Sequence, residues 1–147
     1  MESLYPIFLV IHTLCAIIFL GFIFCDVVLL SPIRKILGDE VADRVWSVIL
    51  KRGTKIMPFC VIMLVISGGA MMTRWLGFEK GFFTTNLQTL LSVKIILAMI
   101  IVAMVVVSLS FKFIFTKHKN PLADIIHPAA LFLGFFIVIL AKIAFFI

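Results

Sequence analysis

The sequence predicts an all-α integral membrane protein: a four-helix bundle with both termini outside and a short interfacial helix in its first cytoplasmic loop. Three observations predict it. Hydrophobic residues make up 64% of the 147 residues and the mean hydropathy is +1.30, whereas a soluble globular domain is roughly 45–50% apolar. Long apolar stretches recur four times, each able to cross a hydrocarbon core of ~30 Å as a helix of about 20 residues. The basic residues collect in alternate connections, as the positive-inside rule requires.

The spans run in order as about 4–30, 56–75, 87–111 and 125–147, within one transmembrane domain covering 1–147. The first ends at Ser31-Pro32. It exceeds the 7–15 apolar residues of a signal peptide and has neither a basic flank before it nor a small-residue cleavage site after it. Each run is continuous and lacks the period-two alternation of a barrel strand, so the spanning elements are helices.

Loop charge sets the orientation. The segment from Ser31 to Lys55 carries Arg34, Lys35, Arg44, Lys51, Arg52 and Lys55, and the third connection carries Lys112, Lys117 and Lys119. The second connection has only Arg74 and Lys80, and Glu2 lies at the N-terminus. The first and third connections are therefore expected in the cytoplasm of a bacterial inner membrane. Within the first, Asp39, Glu40 and Asp43 precede Lys51 and Arg52, an order that suits a helix dipole. Val41, Val45, Val48 and Ile49 form an apolar stripe along that helix, fit to lie on the interface.

The net charge of +6 does not indicate nucleic acid. Its cations lie in short connections beside anionic headgroups, with no basic patch interleaved with aromatics. The cysteines Cys15, Cys25 and Cys60 lie inside apolar runs without CxxC spacing, and read as small buried hydrophobes.

Ionisable groups inside a span are costly and mark function by default. Here they are His12, Asp26, Lys94, His127 and Lys142. By residue counting His12, Lys94 and Lys142 lie about 8, 7 and 5 residues from the outer ends of their helices, so three helices carry a polar group at similar depth. Asp26 and His127 fall near the cytoplasmic end. At 100° per residue, His12, Cys15, Phe19 and Asp26 share one side of the first helix, which is expected to face the bundle. Each has a bland reading as well. Lys142 is near enough to the end to snorkel, Asp26 and His127 can mark the interface, and His12 can be a hydrogen-bonded bundle histidine. His118 sits in a lysine-rich connection and reads as solvated, and the methionines read as packing residues.

A histidine facing a bundle interior is a usual axial ligand for b-type haem. Haem carries two propionates, and Lys94 and Lys142 are two cations able to neutralise carboxylates in low dielectric. His12, Cys15 and nearby methionines also make a chemically reasonable Cu(I) site.

Four stretches carry a resemblance: IHTLCAIIFLGFIF, KRGTKIMPFCVIMLVISGG, LLSVKIILAMIIV and HPAALFLGFFIVILAK. Together they resemble the HemJ-type protoporphyrinogen oxidases and the related CopD-like membrane proteins over most of the chain. Phe19 stands where the family usually has tryptophan, and the segment FCDVVLLSPIRK is unlike the family's tyrosine- and arginine-bearing one. The resemblance implies haem b and a functional pair at His12 and Lys94, with Lys142 matching the fourth-helix lysine. The expected role is redox: porphyrinogen oxidation or electron transfer to a quinone. Two rivals stand beside it, a CopD-like copper transport or resistance protein and a cofactor-free accessory subunit of a membrane complex. Expected partners are the lipid bilayer, a porphyrin or quinone, and a second copy or a membrane-complex partner, with no nucleic acid.

Overall fold

The computed structural model describes residues 4–114, 123–144 and 146. Among them the chain is all helical, without strands, and four helices are long and apolar enough to cross a membrane, which fits a multi-pass membrane protein. Lys117, His118 and Lys119 lie outside the described residues.

Helix α1 covers Tyr5–Phe24, with a proline at its start, where a missing N–H costs nothing. It passes into a π-helical turn, Cys25–Leu29, in which the Leu30 amide donates to the Cys25 carbonyl at 2.9 Å. Helix α2, Ser31–Leu37, again begins with proline and stops at Gly38. Gly38 has φ +84°, a backbone state that favours glycine, and it separates α2 from α3.

Helix α3 runs unbroken from Asp39 to Met72, 34 residues with Pro58 inside it. The residues expected to form a separate interfacial helix are helical, but that helix continues into the second span. At 1.5 Å per residue α3 is about 51 Å long, well beyond a ~30 Å hydrocarbon core. The expected valine stripe also divides. Val41 and Val48 are exposed, while Val45 and Ile49 turn partly inward beside the fully buried Ala42.

The chain forms two compact units, Met1–Gly69 and Ala70–Ile147. In the first, α1 and the π-turn pack antiparallel to α3. His12 meets Ser67, Phe22 meets Gly53, and Asp26 meets Trp46. With the buried Cys60, the α3 positions 46, 53, 60 and 67 repeat every seven residues. Gly53, Cys60 and Ser67 are small, which lets helices approach closely in a membrane. The fit is tight: a Cβ at Gly53 would lie 2.7 Å from Phe22 Cζ. Cys15, Phe19 and Ile23 are the buried residues of α1.

In the second unit, residues 73–85 lead into α4, Asn86–Phe113, and α4 packs against α5, Ala123–Ile143. The start of α4 is a capping box. Thr85 accepts from the Gln88 amide, and the Gln88 side chain accepts from the Thr85 amide. The same Gln88 also accepts from the Thr84 amide and donates to the Trp75 and Lys80 carbonyls, at 3.2 and 2.9 Å. Ser92 donates to the Phe82 carbonyl at 2.7 Å. The Lys80 ammonium reaches the carbonyls of Thr73 and Arg74 just past the end of α3, at 3.4 and 3.0 Å, where positive charge suits the helix dipole.

Candidate functional site

His12 lies on the second turn of α1, half-buried, on the side shared with buried Cys15 and Phe19. Its Nδ1 is 3.0 Å from Ser67 Oγ. Ser67 is only 1% exposed, and its hydroxyl donates to the Met63 carbonyl one turn back along α3. A hydroxyl has one proton to give. With that proton directed to Met63, Ser67 Oγ accepts from His12, and the proton of the neutral imidazole sits on Nδ1. Nε2 then carries the lone pair, the form in which histidine binds a metal while its other nitrogen is held by a partner.

Gly68 makes room for the ring. A Cβ there would stand 3.1 Å from His12 Cε1, closer than most carbon contacts allow. Its neighbour Gly69 makes no such close approach, since a Cβ there would meet nothing.

Further along α1, the buried thiols of Cys15 and Cys60 interact, and both are free cysteines. Among the described residues no group of three or more histidine, cysteine, aspartate or glutamate side chains comes together as a metal site. At the far end of the same face Asp26, in the π-turn, accepts from Trp46 Nε1 at 3.0 Å. π-Turns interrupt helices frequently at functional positions, and here the turn carries this half-buried carboxylate.

Lys94 and Lys142 both belong to the second unit. Lys94 lies eight residues into α4 (94 − 86), half-buried, and its ammonium has no hydrogen bond or ion pair among the described residues. Lys142 lies in the last turn of α5 and is exposed. Residue counting puts the two at similar depth. Lys94 is 19 residues before the end of α4 (113 − 94), and Lys142 is 19 residues after the start of α5 (142 − 123). Helices that pack together and are joined by so short a segment run antiparallel, so equal counts from the junction give equal height. His127 lies in the second turn of α5, far from that level.

Reading the sequence for ionisable groups passed over Ser67 and Gly68. The signal available was Ser67-Gly68-Gly69, three small residues together in an apolar run. Comparison with protein-family models, with curated proteins and with solved structures found no match.

Proposed function

We propose that this chain is a multi-pass protein of a bacterial inner membrane that binds haem b and serves a redox role, either porphyrinogen oxidation or electron transfer to a quinone. The observation that carries this reading is the relay His12–Ser67–Met63, which orients an intramembrane imidazole. The resemblance to HemJ-type proteins supports the same residue. In this reading both termini lie outside and the basic segment 34–55 lies in the cytoplasm.

His12 would hold the haem iron, its ring oriented by the buried Ser67 hydroxyl. The resemblance assigns Lys94, whose ammonium has no partner among the described residues, and Lys142 to carboxylates of a propionate or of a porphyrin substrate. Bound haem supplies one-electron redox chemistry. The protein supplies the ligand, the orientation and the counter-charges. His12 and Lys94 are the pair on which activity depends.

A second reading has an observation of its own. The meeting of the Cys15 and Cys60 thiols, with His12 one turn from Cys15, offers soft ligands for Cu(I). The two readings separate in one absorption spectrum of the detergent-purified protein, taken oxidised and then dithionite-reduced. Haem gives a sharp Soret band with b-type α and β bands on reduction. A well-folded protein that stays featureless after haem is offered overturns the haem reading. Copper that then binds and depends on Cys15 and Cys60 supports the second. A colourless protein that holds neither and co-purifies with other subunits matches an accessory role.

A further inference from the structure

We propose that the cytoplasm-proximal part of α3 carries a binding site for an anionic phospholipid, with Lys51, Arg52 and Lys55 on its phosphate and the exposed apolar face beyond Ile56 along an acyl chain. The inference is independent of haem.

Charge along α3 is divided unevenly. Its acidic end is matched locally: Arg34 bridges Asp39 at 2.8 Å and Asp43 at 2.7 Å, and Arg44 pairs with Glu40 at 2.9 Å. After Asp43 no acidic residue occurs before Glu79. Lys51, Arg52 and Lys55 therefore have no acid of their own helix ahead of them, and among the described residues none of the three has an ion pair or hydrogen bond.

Their placement selects a ligand. Together with Ser47 and Val48 they line one shallow depression. Lys51 and Lys55 are one turn apart, and both lie about 200° around the helix from Gly53, which faces Phe22. They thus point away from α1 and are exposed, as is Arg52. The Ser47 hydroxyl already donates to the Arg44 carbonyl at 2.7 Å, so the three cations are the donors. Arg52 provides the planar fork that meets two phosphate oxygens, and the lysines provide point charges.

The apolar residues beyond the cations favour a lipid over a soluble anion. The next turns on the same side expose Ile56, Phe59, Ile62 and Ile66 at 48, 61, 54 and 53%. A cationic cluster running directly into an exposed apolar strip on one helix matches a molecule with an anionic head and a hydrocarbon tail. Because α3 is longer than the hydrocarbon core is thick, its polar part extends past it, and the cations fall at the level of the headgroups.

The test uses the full chain, delipidated in detergent, with native mass spectrometry after adding dioleoyl phosphatidylglycerol or dioleoyl phosphatidylcholine. The wild type is expected to retain phosphatidylglycerol preferentially. Lys51→Gln weakens that retention about fivefold, and the triple variant K51Q/R52Q/K55Q about a hundredfold at low salt, from ~1 kcal/mol per basic residue. K51R/K55R, which keeps the charges, retains the lipid, as does K35Q, which removes a charge elsewhere. Equal retention of phosphatidylcholine overturns the proposal, as does undiminished retention by the triple variant. If millimolar inorganic phosphate displaces the lipid, the site reads a soluble anion and the lipid assignment fails. If the triple variant does not fold, Lys51→Gln against K51R/K55R decides the question.

Discussion

Two connections between spanning helices, residues 31–38 with the start of α3 and residues 73–85 with the start of α4, are held by opposite means. The first relies on charge at the surface. Arg34, Asp39, Asp43, Arg44 and Glu40 form ion pairs while their side chains remain between 51 and 82% exposed. The second relies on neutral side chains turned inward. Gln88 and Ser92 are 9 and 7% exposed and bind the amides or carbonyls of Trp75, Lys80, Phe82, Thr84 and Thr85. Exposed ion pairs are screened and contribute little. A backbone polar group turned away from water must find a partner or cost about 1–3 kcal/mol. The irregular segment that contains buried Leu76 is thus fixed from within, and the charged one is fixed mainly by its glycine and proline stops.

The largest expected effect comes from the inward-held connection. Gln88→Leu leaves two carbonyls and two amides without their side-chain partner and is expected to destabilise the second unit by about 3 kcal/mol or more. It is also expected to speed amide hydrogen exchange across 73–85. Chemical unfolding in detergent and exchange mass spectrometry check both, and unchanged protection would break the contrast. Gly53→Val comes next, at about 2–3 kcal/mol, because its Cβ would meet the Phe22 ring. Combining it with Phe22→Ala is expected to recover part of the loss in a double-mutant cycle. Ser92→Ala strands the Phe82 carbonyl and should cost about 1–2 kcal/mol, read from the same unfolding curves. Arg34→Ala, which removes two exposed ion pairs, is expected to have the smallest effect of the four, and added salt should erase it. A larger, salt-insensitive loss would put the two connections on the same footing.

Much of this was legible in the residues. Four apolar runs gave four spans, because hydropathy and helix length are both set by bilayer thickness. The shared side of His12, Cys15, Phe19 and Asp26 also emerged, because helical period fixes it. The continuity of α3 did not. Hydropathy marks where Lys51, Arg52 and Lys55 leave the lipid, but it is blind to backbone hydrogen bonds, which run on through them. Helix α5 ends at Ile143 among the described residues, which puts Lys142 in its last turn.

Gln88 and Ser67 were hidden for another reason. Neither is ionisable, so neither stands out in an apolar run. Thr85-Asn86-Leu87-Gln88 nevertheless spells a capping box. The pairing of Ser67 with His12 becomes visible only once α1 lies against α3, because the two are 55 residues apart.

The most direct test of the central claim is the haem content per chain, by pyridine haemochrome, of the wild type, His12→Ala and Ser67→Ala purified side by side. If His12 is the ligand and Ser67 sets its tautomer, His12→Ala loses the haem. Ser67→Ala then keeps a reduced fraction, about ten- to a hundredfold weaker in affinity. Wild-type haem content retained in His12→Ala would contradict it.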